Sequence, residues 1–163
     1  MTSVPLRYLP KSLSQKDRKR QSAQLKKSRR LYKQGKYHTR KNVPSFKSKP
    51  SGYIGNAVRM YRVDHISPNP RLAKATGCSV GALRRIVKKG EGAYFSSGSR
   101  PNQTAHSWGY ARLASAITGQ KAAAVDFHII DAGCKHSGRA YRLAARSVRK
   151  WKHGQTKTKH TRL

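Results

Sequence analysis

Residues 71–89 read RLAKATGCSVGALRRIVKK, a pattern with the spacing of two helices joined by a short turn. Gly77 can adopt the left-handed backbone conformation that ends the first helix, and the Ser79 hydroxyl can cap the second. Leu83 and Ile86 then fall on the face of the second helix that packs against the first. The stretch therefore predicts a helical hairpin with the spacing of a helix-turn-helix.

The second helix of this hairpin is basic, and we expect it to end before Gly90. Gly81 and Ala82 stand where a helix that reads DNA bases would carry Gln, Asn, Ser or Arg. Two interpretations stay open: a hairpin with a solvated basic face, and a hairpin that contacts the DNA backbone. In either case four cations lie along the helix: Arg84, Arg85, Lys88 and Lys89.

Helical spacing of apolar residues recurs on both sides of the hairpin. It predicts further helices over residues 53–61, 107–118, 121–132 and 138–152. We therefore expect a mainly α protein. Its small α-rich domain would cover residues 53–152 and be followed by a basic tail over residues 153–163.

The N-terminal third of the chain is basic and poor in large apolar residues. Residues 1–50 contain 16 Lys or Arg and a single acid, Asp17. Ser14 and Gly35 can begin and end a helix, but the apolar residues between them are too sparse to face a core. We expect a long extended basic N-terminal arm and linker over residues 1–52, which becomes ordered only with partners.

The net charge indicates the class of partner. The 163 residues include 37 Lys or Arg against five Asp or Glu, a formal net charge of +32 that is far outside the range of an ordinary cytosolic enzyme. Nucleic acid is the first candidate partner, and an anionic membrane surface or an acidic protein is the second. The basic residues between Lys16 and Arg30 also fit a nuclear localisation signal. Candidate polyanion-binding residues in the arm are Lys16, Arg18, Lys19, Arg20, Lys26, Lys27, Arg29 and Arg30.

The two cysteines, Cys78 and Cys134, lie far apart and in no CxxC arrangement. This spacing predicts two buried thiols in a reducing compartment rather than a disulfide framework. The sequence contains no run of about 18 apolar residues, so that no membrane span is predicted. Residues 1–10 lack the apolar segment of a secretory signal.

Residues 94–104 read YFSSGSRPNQT, which is the composition of a loop. Gly-rich turns expose backbone N–H groups, so that this loop could bind an anion with the help of Arg100. It lacks the GK[ST] ending of a P-loop. The alternative is a structural loop in which polar side chains bond neighbouring backbone groups, and this is the interpretation we prefer. Its residues would be Ser97, Gly98, Ser99, Pro101, Asn102 and Gln103, with Trp108 beside it.

No set of residues has the spacing of a catalytic or metal site. Asp126 and His128 lie two residues apart on a presumed helix and therefore point in different directions. The G-x-S-x-G and HExxH patterns are absent, and the seven His are scattered. The sequence predicts a protein that is not an enzyme and that uses no metal, cofactor or small-molecule substrate.

Several stretches resemble a family of small basic proteins of unassigned function. They read PLRYLPKSLS at 5–14 and GAYFSSGSRPNQT at 92–104, followed by SWG at 107–109 and ARLAS at 111–115. Proteins of that family are encoded by large double-stranded DNA viruses of algae and protists, the chloroviruses and their giant-virus relatives. The likeness covers roughly residues 5–145, and the family carries no agreed catalytic residues that could be transferred.

The resemblance implies a place in an icosahedral particle. There, capsomers overlie an internal membrane and a DNA core, and small cement proteins fill the layer between them. We therefore expect a minor capsid or cement protein that bridges capsid proteins and faces the membrane or DNA. It would be found in the virion, and in the host cytoplasm or nucleus during assembly. The alternatives are a virion protein that binds or condenses DNA and an RNA-binding protein of ribosomal type.

Overall fold

The computed structural model describes residues 2–152 and 158–163. Within these residues the chain forms eight α-helices and two short strands, so that the prediction of a mainly α protein is confirmed. The helices are α1 (Gln15–Lys33), α2 (Gly52–Tyr61), α3 (Pro70–Thr76), α4 (Val80–Ser96), α5 (Ala105–Ile117), α6 (Lys121–Val125), α7 (Phe127–Gly133) and α8 (Arg139–Trp151). The strands are β1 (Ser3–Pro5) and β2 (His160–Arg162), and a 3₁₀ turn covers Leu6–Tyr8.

The described residues divide into two compact units. Unit 1 comprises residues 2–49, Glu91–Trp108 and residues 158–163. Unit 2 comprises Pro50–Gly90 and residues 109–152. Both units are therefore assembled from stretches that are distant in sequence. Two of the boundaries fall within α4 and α5, and a third lies just before α2.

The helical hairpin predicted over residues 71–89 is confirmed in unit 2. The Asn69 side chain caps α3 by accepting a hydrogen bond from the Leu72 N–H at 2.8 Å, and Gly77 ends that helix with a φ of 83°. The Ser79 hydroxyl accepts from the Ala82 N–H at 3.1 Å in the first turn of α4. The hairpin packs into a core whose fully buried side chains include Leu72, Leu83, Ile86, Leu113, Ile117 and Ile130.

The predicted end of the second helix before Gly90 is wrong, because α4 continues to Ser96. A Cβ at Gly90 would lie 2.6 Å from the Cα of Gly109, so the two backbones meet where only glycine fits. Glycine in a helix interior costs about 1 kcal/mol relative to alanine. The full burial of Tyr94 in the last turns of the helix supplies a larger opposing contribution, since burying a large apolar side chain contributes about 1.5–3 kcal/mol.

The long extended N-terminal arm is also wrong. In unit 1 the N-terminal residues form a strand, a 3₁₀ turn and the 19-residue helix α1. β1 pairs antiparallel with β2, which lies within the predicted basic tail; residues 153–157 of that tail lie outside the described residues. The prediction failed because residues 1–50 alone cannot bury a core, whereas residues 94–108 and 158–163 complete one. The buried side chains of this core are Val4, Tyr8, Leu9, Leu13, Leu25 and Val43, with Phe46, Trp108 and Leu163 packed against them.

The predicted pair of free thiols is wrong as well, because Cys78 and Cys134 form a disulfide. The two residues face each other in an isolated antiparallel bridge. On either side of it the Ser79 N–H donates to the Gly133 carbonyl and the Lys135 N–H to the Gly77 carbonyl, each at 2.8 Å. The prediction of a reducing compartment rested on free thiols, and the disulfide removes that argument. Spacing rules recognise local cysteine motifs, and here 56 residues separate the partners.

The predicted helix over residues 121–132 is broken into α6 and α7 at Asp126. This carboxylate is fully buried in unit 2 and accepts two hydrogen bonds from Arg112, at 2.7 and 2.8 Å. The Lys89 ammonium lies 3.1 Å from Oδ1, the oxygen that also accepts from Arg112 Nη2. The break therefore positions one acid between two cations inside unit 2.

We predict that reducing the Cys78–Cys134 disulfide lowers the free energy of unfolding by about 2–4 kcal/mol. The bond closes a long loop, and chain-entropy arguments give about 4 kcal/mol for a loop of this size. Urea titrations with and without reductant measure the difference. The Cys78→Ala/Cys134→Ala variant should be insensitive to reductant, and an unchanged unfolding midpoint for the native chain would contradict the prediction.

We predict that Asp126→Asn destabilises the protein by about 3 kcal/mol, because it leaves the part-buried Arg112 and the more exposed Lys89 without their buried carboxylate. Asp131→Asn is the matched control, since Asp131 forms only an exposed pair with His136 at 3.1 Å. That control should change stability by less than about 0.5 kcal/mol. Thermal unfolding followed by circular dichroism compares the two variants, and equal unfolding temperatures would argue against the role given to Asp126.

Candidate polyanion interface

Helix α1 in unit 1 has one buried side and one cationic side. Its buried residues, Asp17, Gln21, Leu25 and Ser28, recur at helical spacing. The opposite side carries seven exposed cations and extends for about 28 Å at 1.5 Å per residue. We call these residues the α1 face: Lys16, Lys19, Arg20, Lys26, Lys27, Arg30 and Lys33.

The single acid of α1 does not neutralise this face. Asp17 is buried, and its carboxylate accepts a hydrogen bond from the Ser45 N–H at 2.8 Å. The Ser45 hydrogen bonds hold the pKa of Asp17 below its usual value. Ser14 caps the helix by accepting from the Asp17 N–H at 3.2 Å. Arg20 of this face lies 3.9 Å from the carboxylate, and the other six cations form no ion pair with an acid among the described residues, so the face keeps a high positive charge.

Two of the predicted arm residues serve the interior of unit 1 instead. Arg18 donates to the Leu9 carbonyl at 3.0 Å and to the Thr161 hydroxyl at 3.3 Å. Arg29 donates to the Ser97 carbonyl at 2.8 Å, and partial burial lowers its pKa. Both side chains therefore connect α1 to distant parts of the chain. The other six predicted residues of the arm belong to the α1 face.

In unit 2 the predicted cations of α4 separate into two groups. Arg84, Arg85 and Lys88 are exposed and form no hydrogen bond or ion pair with another described residue. Lys89 is engaged with the buried Asp126. The exposed three therefore stay available to a partner, whereas Lys89 stabilises the fold.

Sequence reasoning missed the basic residues of α8. Ala140, Ala144 and Ser147 of this helix are buried in unit 2. Its exposed basic residues are Arg139, Arg142, Arg146, Arg149 and Lys150. The spacing of three or four residues between the arginines was a signal in the sequence, because it places them on one side of a helix.

A second residue that sequence reasoning missed is Arg40, which is buried in unit 1 between α1, α4 and the loop after α4. This guanidinium is 6% exposed and has no acidic partner among the described residues. It donates to the Ser28 hydroxyl at 2.9 Å, to the Tyr94 carbonyl at 2.6 Å and to the Ser99 hydroxyl at 2.8 Å. Its Cζ lies 3.8 Å from the centre of the Tyr94 ring. Burial lowers its pKa. Arg40 thus connects three segments of unit 1.

Asn102 connects the loop to the segment after α1. Its side chain accepts from the Val43 N–H at 2.7 Å and donates to the carbonyls of Val43 and Phe46 at 3.2 and 3.0 Å. Its own φ is 62°, a left-handed conformation that Asn tolerates better than most residues. The Asn102 side chain therefore forms its hydrogen bonds within the protein rather than with a ligand.

The remaining loop residues are placed as follows. Gly98 packs so closely that a Cβ would lie 2.8 Å from Leu25. The Gln103 side chain accepts from the Ser107 hydroxyl at 2.7 Å, and the Trp108 ring meets the edge of Tyr8 at 6.0 Å. Pro101 is buried, while Ser97 and Arg100 are exposed. Only Arg100 of this loop offers a cation to solvent.

Among residues 2–152 and 158–163, no three His, Cys, Asp or Glu side chains are grouped as a metal site would require. In the same part of the chain, every helix is too short or too polar to span a bilayer.

We predict that Asn102→Ala lowers the free energy of unfolding by about 2–4 kcal/mol, because three hydrogen bonds are lost and alanine disfavours a positive φ. Asn102→Gly loses the same bonds without the backbone strain, and should recover about 1 kcal/mol of that loss. Urea titrations of the two variants provide the test. Wild-type stability of the alanine variant would show that the loop does not depend on this side chain.

The comparisons with known proteins give one match. Residues 5–132 match a family of unknown function, DUF5824. Neither the curated proteins nor the solved structures include a match to this chain. The matched residues span most of the chain and include α1, α4 and the loop that follows α4. The chain therefore belongs to DUF5824, a family of unknown function.

Proposed function

We propose that this chain is a non-enzymatic structural protein of a large DNA virus, a minor capsid or cement protein beneath the capsomer shell. It would bridge capsid proteins through the α1 face and be found in the virion, and in the host cytoplasm or nucleus during assembly. The particle and its location follow from the resemblance of residues 5–14 and 92–104 to proteins of such viruses. The observation that carries the binding role is the α1 face.

The α1 face favours a polyanionic partner because its cations repel one another. Pairs of like charges three or four residues apart each destabilise a helix by about 0.2–0.5 kcal/mol. The face contains several such pairs, among them Lys16–Arg20 and Lys26–Arg30. An acidic surface laid against it would remove this cost and add ion pairs. Binding would therefore also stabilise α1.

A groove of unit 1 that includes part of α1 favours a protein as the partner of this face. Ala23 and Leu163 supply its apolar surface, and Arg18, Lys19, Lys26 and Arg162 supply its charge. A bare phosphate surface would use only the cations. An acidic protein segment with apolar side chains would use both, as protein interfaces generally do.

The second candidate is a virion protein that binds or condenses DNA. The observation that favours it is the exposed trio Arg84, Arg85 and Lys88 on α4, which lies in a hairpin of helix-turn-helix spacing. Gly81 offers no side chain that could read a base. This candidate would therefore contact phosphates without strong sequence preference.

We predict that Lys19→Gln/Lys26→Gln/Lys27→Gln/Arg30→Gln weakens binding of the full chain to poly-L-glutamate by about tenfold or more. Each exposed ion pair contributes about 0.2–1 kcal/mol, and four are removed. The matched control removes four exposed charges outside the α1 face, at Lys36, Lys41, Lys47 and Lys49. Isothermal titration calorimetry measures both variants. Equal losses in the two would remove the support that the α1 face gives to the proposal.

Location within a particle separates the two candidates. Shells emptied of DNA should retain a cement protein at high salt, because part of its contact area would be apolar. A DNA-binding protein should instead be recovered in the core fraction and be released by nuclease and salt. Recovery in the core would overturn the first candidate.

A further inference from the structure

Helix α8 of unit 2 presents a stripe of arginines whose role is still unassigned. We call Arg142, Arg146 and Arg149 the α8 stripe; their spacings of four and three residues place them on one side of the helix. All three are exposed. With Arg139 at its start, the row extends for about 15 Å along the helix axis. The buried residues Ala140, Ala144 and Ser147 face the core of the unit.

The α8 stripe is not used by the described part of the protein. Its three guanidinium groups form no hydrogen bond or ion pair with residues 2–152 or 158–163. Arg139 differs, because it donates to the Met60 carbonyl at 3.1 Å and lies 5.9 Å above the Tyr61 ring. The helix itself contains no acid. Three adjacent arginines are thus held on a rigid element and left without counter-charge.

Arginine suits phosphate better than a diffuse negative charge. Its planar guanidinium donates two parallel hydrogen bonds to one phosphate, whereas lysine acts as a point charge. A row of arginines about 5–6 Å apart offers such forks at regular intervals. Nucleic acid is the linear partner with phosphates at regular intervals, since duplex DNA carries one charge per about 1.7 Å of axis.

A membrane and an acidic protein fit this surface less well. A helix that lies in a membrane inserts its apolar side among the lipids, but Ala140 and Ala144 on the apolar side of α8 are fully buried in unit 2. Leu143, Val148 and Trp151 on the same side are partly buried. A stable protein interface usually has a buried apolar or aromatic centre. The stripe itself consists only of arginines and offers no such centre.

We propose that the α8 stripe binds the sugar–phosphate backbone of duplex nucleic acid without reading its sequence. The inference does not depend on the proposed function of the α1 face, because it concerns different residues in unit 2. If both hold, the chain carries one surface for an acidic protein and another for nucleic acid, and could connect a shell to a core.

The test compares three forms of the full chain on a 20-base-pair duplex of arbitrary sequence. They are the wild type, the variant Arg142→Gln/Arg146→Gln/Arg149→Gln, and a control of equal charge change, Lys41→Gln/Lys47→Gln/Lys49→Gln. Fluorescence anisotropy gives the affinity at a series of salt concentrations. Glutamine keeps a helix propensity close to that of arginine, and the substituted residues are exposed, so both variants should fold. Circular dichroism checks this.

We expect the stripe variant to lose about tenfold or more in affinity, and the slope of log affinity against log salt to become shallower by about 2.7, or 0.9 for each phosphate contact. The control should keep the wild-type slope. The variant Arg142→Lys/Arg146→Lys/Arg149→Lys should keep the slope but bind more weakly, because charge remains and the fork is lost. This lysine variant also tests the proposal if the glutamine variant does not fold.

Two results would overturn the inference. One is a stripe variant that binds DNA like the control. The other is a stripe variant with wild-type DNA affinity that has lost binding to phosphatidylserine vesicles, which would assign the surface to a membrane. Binding to poly-L-glutamate by the same variant reports on the α1 face, so a failure of either proposal is recognisable by itself.

Discussion

The constraint on which the structure depends is the scarcity of negative charge. Only five acids accompany 37 Lys or Arg, and each of the five has a partner within the described chain. Asp17 and Asp126 are buried, bonded respectively to Ser45 and to the pair Arg112 and Lys89. The other three form exposed pairs, Asp64 with Arg71, Glu91 with His106 and Asp131 with His136.

This distribution explains why the cationic helices remain cationic. Each acid is already paired, at a helix break, at the start of a helix or in a local ion pair. Only Asp17 lies near the α1 face, 3.9 Å from Arg20, and no acid of the described residues is paired with the α8 stripe. The two surfaces therefore keep their positive charge. The repulsion among their cations is unfavourable, and the packing of the buried side of each helix offsets it.

Local signals in the sequence predicted the local features correctly. The hairpin of α3 and α4 followed from Gly77 and Ser79. Helix α1, which was predicted to be extended without a partner, nevertheless begins after Ser14 and ends before Gly35, at the start and stop signals of the sequence. The continuation of α4 beyond Gly90 could not be predicted in this way, because it depends on the close approach of Gly109 and on the burial of Tyr94. Tertiary contacts there override a local stop signal.

The larger errors have the same origin. Residues 1–50 resemble an unstructured arm only while Tyr94, Asn102 and Trp108 are left out, and these lie about 50 or more residues further along the chain. The disulfide joins residues 56 positions apart, beyond any spacing rule. The α8 stripe was different, since its arginine spacing was visible and only its exposure had to come from the structure.

Arg40 carries a consequence for the conditions under which unit 1 persists. The groups that hold its guanidinium are two hydroxyls and a carbonyl, which neither gain nor lose a proton in the physiological range. A carboxylate in the same place would have made the connection sensitive to acid. Acidification therefore removes no hydrogen-bond partner of the Arg40 guanidinium, but it charges His38, whose pKa is lowered by burial and by neighbouring cations that include Arg40.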